Sequence, residues 1–234
     1  MAARGFVVAL LSSSHTVVPY NYGRDAMLAR LHRRFHRQGP GHDLTIDGAH
    51  SRLYARLARW PLRGMYRRIA AEVAAAAPHG ADVLDVGTGP GQLLVELARR
   101  RSDLRLTGID LSPDMVELAG GNARRAGVGD RVTVRAADVA DLPFADGSFD
   151  LVVSTFSMHH WAAVAPAVTE LARVLRPGGA AWIYDLRSVP GDVLNDAVGE
   201  AFGTPPRRTV PGAGGLLPRL TARWTAVAPA QPGT

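Results

Sequence analysis

Val83-Leu84-Asp85-Val86-Gly87-Thr88-Gly89-Pro90-Gly91 sets a short apolar run directly before three alternate glycines, and an amphipathic segment follows at once. No other stretch of this chain restricts its fold as much. An apolar run without alternation reads as a strand buried on both faces. Glycines after it let the backbone turn sharply and let a ligand come close with no Cβ in the way. Gln92–Arg101 then carries Leu93, Leu94, Leu97 and Ala98 on one helical face. A buried strand that turns through glycine into a helix is half of a βαβ unit. Such units cross over right-handed, so the sheet they build is parallel and covered on both faces.

The same alternation continues downstream. Asp82–Val86, Leu104–Leu111, Arg131–Ala137, Phe149–Ser154 and Ala180–Leu186 read as five strands. Ser112-Pro113-Asp114 opens a helix with an N-cap and a proline at the first helical position, and Pro166–Arg176 makes another, stopped by Pro177-Gly178-Gly179. Residues 81–187 are therefore expected to form an α/β fold, a doubly wound and mostly parallel sheet. Residues 1–80 form a basic helical extension or cap. Within them Arg24–Arg37 and Ser51–Ala77 have helical spacing, the second with Leu53, Leu57, Trp60, Met65 and Ile69 on one stripe interrupted at Pro61. Residues 188–234 hold seven prolines and complete the domain with a helix at Asp192–Phe202 and a strand near Arg219–Val227. Only one strand is legible there.

In a doubly wound sheet, ligands sit at the carboxyl ends of the strands. A dinucleotide site wants Gly-x-Gly-x-x-Gly, but here Gln92 stands where the third glycine belongs. A phosphate-cradling loop ends in Gly-Lys-Ser/Thr, and all 27 basic residues of this chain are arginine. Asp85, two positions before Gly87, points instead to a ligand with a cationic group, such as the ammonium and sulfonium of S-adenosylmethionine. Asp110 ends the next strand, nineteen residues after Gly91, where a carboxylate accepts hydrogen bonds from ribose hydroxyls. Taken alone, Asp110 fits a helix cap or a surface charge equally well; the glycine loop tips the balance.

Four blocks in order carry a family resemblance: Val83–Gly91, Thr107–Pro113, Ala137–Phe144 and Leu175–Gly179. With them, residues from about 81 to 186 resemble the class I S-adenosylmethionine-dependent methyltransferases, in particular the branch with the ubiquinone and menaquinone biosynthesis enzymes. The resemblance implies a Rossmann-like methyltransferase fold, with S-adenosylmethionine as cofactor and S-adenosylhomocysteine as product. The same resemblance implies a sheet of seven strands ending in an antiparallel pair, expected here to be incomplete because only Arg219–Val227 is legible as a strand. It also implies roles for individual residues. Gly87, Gly89 and Gly91 would form the loop around the methionine moiety, with Asp85 near its ammonium. Asp110 would bind the ribose and Leu111 lie on the adenine face. Asp138 would accept from the adenine amino group, and the Val139 amide would donate to a ring nitrogen. Each of these residues also has an ordinary structural role open to it, a turn aspartate for Asp138 and core packing for Leu111 and Val139.

The acceptor pocket of this family begins after the fourth strand, at Ser154-Thr155-Phe156-Ser157-Met158-His159-His160-Trp161, with Ser154 on the cofactor side. His159 is the candidate general base and His160 the lesser one, since neighbouring side chains seldom enter one cavity. No third ligand accompanies them, so no metal site is expected. Tyr20, Tyr54 and Trp161 are candidate pocket walls. The Asn/Asp-Pro-Pro-Tyr/Phe motif of amino-methylating nucleic-acid enzymes is absent, and the chain has no cysteine for a covalent adduct on a pyrimidine ring. A small, apolar organic acceptor is the leading expectation. Two alternatives stay open. Eleven arginines against three acids between Arg24 and Arg68, in a chain of net charge +6, could grip RNA phosphates or an anionic membrane surface. The chain could equally keep the cofactor pocket as a non-catalytic binding protein. The apolar run Phe6–Leu11 is too short to span a membrane, and the expected location is the cytoplasm, peripheral to a membrane at most.

Overall fold

In the computed structural model, which describes residues 63–187, 191–210 and 221–230, the apolar run before the glycine turn is an interior strand of a seven-stranded sheet. This strand, β1 (Asp82–Val86), pairs in parallel with β2 (Arg105–Asp110) on one side and β4 (Phe149–Thr155) on the other. Beyond β2 lies β3 (Val132–Ala136), and beyond β4 lies β5 (Leu175–Leu186), both parallel to their neighbours. The last pair is antiparallel: β6 (Arg207–Thr209) and β7 (Thr221–Val227) give the order β3-β2-β1-β4-β5-β7-β6.

The expected incompleteness of that pair is corrected by β6. Its three residues, Arg207, Arg208 and Thr209, are polar and mostly exposed, too few to show any alternation. Its register on β7, Arg207 opposite Thr225, comes from the fold and not from a local pattern. The Pro177-Gly178-Gly179 segment also departs from its expected role as a break between helix and strand. Helix ends at Val174, and β5 runs straight through the segment as a bulge: Phe149 pairs with Leu175, but Leu151 pairs with Ala180. Proline lacks the N–H a ladder needs, so a bulge is where a strand tolerates it.

Among the described residues five helices flank the sheet: α1 (residues 63–76), α2 (Gln92–Arg100), α3 (Pro113–Arg125), α4 (Val164–Val174) and α5 (Asp192–Phe202). Consecutive residues of one strand serve opposite faces. Leu84, Val86, Val152 and Ile183 pack with Leu171, Leu194 and Phe202, whereas Val83, Leu151, Val153 and Tyr184 pack with Ile69, Val73, Leu93 and Leu97. That is why the interior strands read as continuous apolar runs, and each such buried side chain contributes about 1.5–3 kcal/mol. Arg101 closes the end of α1, donating to the carbonyls of Ala74 at 2.7 Å and Pro78 at 3.1 Å. No helix among the described residues is long and apolar enough to cross a membrane. Arg24–Arg37, Tyr20, Tyr54 and the arginines from Arg24 to Arg59 lie outside the described residues.

Candidate functional site

The turn after β1 takes its shape from its glycines. Gly87 (φ 68°) and Gly89 (φ 52°) both occupy the left-handed region that a side chain disfavours. They differ in what surrounds them. A Cβ on Gly87 would lie 2.2 Å from Ser157 Oγ, so the turn is pressed against the segment after β4. A Cβ on Gly89 would meet nothing within 4 Å, which leaves that side of the loop open. Gly91, at the N-cap of α2, lets the helix approach Ala119 of α3.

Beneath this loop Asp85 is fully buried. Its Oδ2 accepts from Thr88 Oγ1 at 2.7 Å, but its Oδ1 is buried without a partner. Burial pushes this carboxyl up to about 7, and the nearby Asp110 adds to the effect against the Thr88 hydrogen bond. A buried oxygen with no donor is costly in the free protein. It is the kind of group that an ammonium or an ordered N–H of a ligand would satisfy.

Asp110, at the end of β2, is tied to the loop itself. Its Oδ2 accepts from the Gly89 amide at 2.8 Å and its Oδ1 from the Ser112 amide at 3.0 Å. Burial raises its pKa, opposed by those two bonds. Each oxygen keeps a lone pair for a further donor. Leu111 beside it is 52% exposed, a large apolar side chain left half uncovered. After β3, Asp138 forms a tight turn, accepting from the Ala140 amide at 2.9 Å, and Val139 packs partly against the core. The Asp138 turn and the Asp110 bond to Ser112 are both of the structural kind that the sequence left open. Neither occupies all the acceptor capacity of its carboxylate.

The other side of the site is the segment after β4. Ser154, paired with Val86 across the strands, shares a 3.0 Å contact with Ser157 Oγ. Ser157 Oγ donates to the Val86 carbonyl at 3.2 Å and accepts from Trp161 Nε1 at 3.0 Å. The glycine loop and the expected acceptor wall therefore share one hydroxyl. Phe156, at φ 54°, is the one non-glycine residue in the left-handed region among the described residues. Strain of that kind costs of order 1–3 kcal/mol and persists where surrounding structure enforces it; here the Phe156 amide donates to the Tyr184 carbonyl at 2.8 Å.

His159 lies in a one-turn 3₁₀ segment, Met158–His160, and has a partner that sequence reasoning missed. Its Nδ1 is 2.8 Å from Oδ1 of Asp185, a fully buried carboxylate near the end of β5, and its amide donates to Asp185 Oδ2 at 3.1 Å. The Leu186 amide donates to the same carboxylate at 2.7 Å. A lone aspartate in the apolar run Ala180–Leu186 is the sequence signal that could have found it. The His160 ring rests 4.0 Å, centroid to centroid, from that of His159.

A family profile described as a methyltransferase domain matches residues 84–183. A ubiquinone/menaquinone biosynthesis C-methyltransferase from Geotalea daltonii is 34% identical over 67% of this chain and 65% of its own length. A 27-O-demethylrifamycin SV methyltransferase from Amycolatopsis mediterranei is 37% identical over 62% of this chain and 48% of its own length. The chain thus spans about half to two thirds of these relatives. Among solved structures, an S-adenosylmethionine-dependent methyltransferase from Aquifex aeolicus matches with a TM-score of 0.61 at 21% identity, over 78% of this chain and 99% of that one. A [4+2]-cyclase, SpnF, matches with a TM-score of 0.59 at 21% identity, over 70% and 81%. These structures share the fold, and the second shows that the fold alone does not fix the reaction.

Proposed function

Since this chain belongs to the class I S-adenosylmethionine-dependent methyltransferases, in the branch with the ubiquinone and menaquinone biosynthesis enzymes, we propose that it transfers a methyl group to a small, apolar organic acceptor. The observation that carries this reading is the unpartnered Oδ1 of Asp85, buried beneath an open glycine loop. It calls for a cation or donor at that place, and the ammonium of S-adenosylmethionine supplies one. Gly87 and Gly89 hold the methionine end with their backbone. Asp110 takes the ribose hydroxyls on the lone pairs that Gly89 and Ser112 leave free. The exposed Leu111 covers the adenine face, while Asp138 and the Val139 amide read its edge.

When bound, the cofactor supplies an electrophilic methyl group on a sulfonium. What remains for the protein is to align the acceptor, exclude water and remove a proton where the acceptor carries one. His159 fits the last task. With Nδ1–H donated to buried Asp185, the tautomer leaves a lone pair on Nε2. Asp185 then stabilises the imidazolium that forms when Nε2 takes a proton from a hydroxyl or an acidic C–H. Trp161, fixed through Ser157 to the glycine loop, lies on the same segment and is a wall for the acceptor.

Calorimetric titration with S-adenosylmethionine and S-adenosylhomocysteine tests the reading, repeated on Asp110→Ala. Micromolar binding, about −8 kcal/mol, is expected, with a loss of about 1 kcal/mol or more in the variant. No binding of either ligand by the wild type would end the proposal. Given binding, turnover across a panel of phenolic, enolic and carbon-acid acceptors identifies the acceptor class.

A further inference from the structure

The turn that carries Asp138 and Val139 is anchored at its start, where the Ala137 amide donates to the Asp110 carbonyl at 3.1 Å, and by the packing of Val139. It closes through one side-chain bond to Asp138 and one backbone bond from Asp141. The chain that follows, Leu142 to Gly147, is held from outside by two side chains of α4. Arg173 donates through Nη2 to the Leu142 carbonyl at 2.9 Å, and through Nη1 to the Phe144 carbonyl at 2.7 Å and Asp146 Oδ1 at 2.7 Å. Glu170 accepts the Leu142 amide at 2.8 Å, and the Gly147 amide donates to the Arg173 carbonyl at 3.0 Å. The two side chains are locked to each other as well, Arg173 Nε to Glu170 Oε1 and Nη2 to Oε2, both at 2.7 Å. That pairing holds the Glu170 carboxyl below its usual range.

The helix packs on the core through Ala167, Val168, Leu171 and Val174, and Glu170 and Arg173 stand part-buried beside that face. They bind both the amide and the carbonyl of Leu142, three residues beyond Val139. Buried Leu142, and Phe144 packed edge-on against Phe149 with centroids 4.9 Å apart, complete the anchorage. A planar guanidinium with its donors directed at fixed carbonyls is a rigid brace, and lysine could not reproduce it.

We propose that Glu170 and Arg173 are positioning residues for adenine recognition, a clamp on Leu142–Gly147 that sets where the Asp138 carboxylate and the Val139 amide stand. The inference rests on the cofactor reading above. Its test is base discrimination, which a general loss of stability would not change. The full-length chain is titrated with S-adenosylhomocysteine and with S-inosylhomocysteine, in which an oxo group replaces the adenine amino group. Four proteins are compared: wild type, Arg173→Ala, Glu170→Gln and Arg176→Ala. Arg176 is the matched control, because its ion pairs run to Asp82 and Asp150 at the amino ends of β1 and β4 and not to Leu142–Gly147.

Wild type is expected to prefer the adenine ligand by about tenfold, the worth of one charge-assisted hydrogen bond. Arg173→Ala should bring that ratio close to one, Glu170→Gln should reduce it, and Arg176→Ala should preserve it. A wild-type ratio in a folded Arg173→Ala protein overturns the clamp and leaves the cofactor reading intact. If circular dichroism shows that Arg173→Ala has not folded, Glu170→Gln decides by the same criterion. Wild-type binding without preference removes the role given to Asp138, and the clamp with it. A wild type that binds neither ligand overturns the cofactor reading itself.

Discussion

The two ends of the parallel strands treat the same residue, aspartate, in opposite ways. At the amino ends, Asp82 is gripped by Arg105 and by Arg176, Asp150 by Arg176 and the Asp82 amide, and Asp103 by Arg101 and the Gly80 amide. The guanidinium groups hold Asp82 and Asp103 below the usual carboxylate range. At the carboxyl ends, Asp85, Asp110 and Asp185 accept from a hydroxyl, from backbone amides and from an imidazole. There burial, with no guanidinium among the described residues to offset it, pushes Asp85 and Asp110 upward. A carboxylate already satisfied by arginine ties strands together. One that is desolvated with an oxygen left over is arranged for something the chain does not itself supply. The sheet thus separates cohesion from binding along the length of its strands, in keeping with the rule that open α/β sheets bind ligands at their carboxyl edge.

The largest test of this division is Asp185→Asn. An amide there takes the Nδ1 proton less well and does not stabilise the imidazolium, so turnover should fall by about 10²–10⁴-fold. Affinity for S-adenosylhomocysteine should stay at its wild-type value, because Asp185 holds the acceptor side. Steady-state kinetics and calorimetry on the same preparation separate the two effects. Full turnover in Asp185→Asn would show that the reaction needs no base at His159.

Next in size is the pH response of Asp85. A cation placed beside it favours the charged form, so binding expels the proton that burial holds on up to about pH 7. Affinity for S-adenosylhomocysteine should therefore rise as pH increases from 5.5 through 7. Asp85→Asn should flatten that rise and weaken binding by about tenfold at the upper end. Calorimetry in buffers of different ionisation enthalpy counts the released proton directly. A flat wild-type profile would mean that Asp85 is already ionised in the free protein and that the contrast between the two edges is smaller than the geometry implies.

What the sequence disclosed follows the range of its signals. Strands β1, β2 and β4 were legible to within about a residue at each end, because buried apolar side chains take most of their interior positions. Helix α5 was legible because Gly191 and Gly203 flank an amphipathic run and Gly203 takes the left-handed conformation that ends it. Strand β6 was illegible: three polar residues owe their conformation to a partner strand fourteen to eighteen residues away. The site divides the same way. The glycine loop and Asp110 are local patterns that physical chemistry ties to one kind of ligand. The pairing of His159 with Asp185 spans 26 residues, and that of Arg173 with the Leu142 carbonyl spans 31. Contacts of this span are set by the register of β4 on β5 and by the packing of α4, which no local spacing encodes.

The smallest effect is also the sharpest control, since it concerns the amino edge alone. Asp82→Asn removes the carboxylate shared by Arg105 and Arg176, and Arg105 is largely exposed, so solvent screening limits the loss to about 1 kcal/mol. The sign of its pH dependence is fixed by the shift. Asp82 titrates below its unfolded value of about 3.9, so its stabilisation is complete above that pH and disappears as pH falls through and below it. Asp85 behaves in reverse. Its folded pKa lies above the unfolded one, so the free protein loses stability from this group as pH rises from about 4 to about 7. Urea unfolding of wild type, Asp82→Asn and Asp85→Asn across that range should therefore show the first variant penalised by a nearly constant amount. The second should gain on wild type over the same interval. Affinity of Asp82→Asn for S-adenosylhomocysteine should match wild type at every pH where both are folded. If it does not, the ion pairs at the amino edge reach the site through β1, and cohesion and binding are one system.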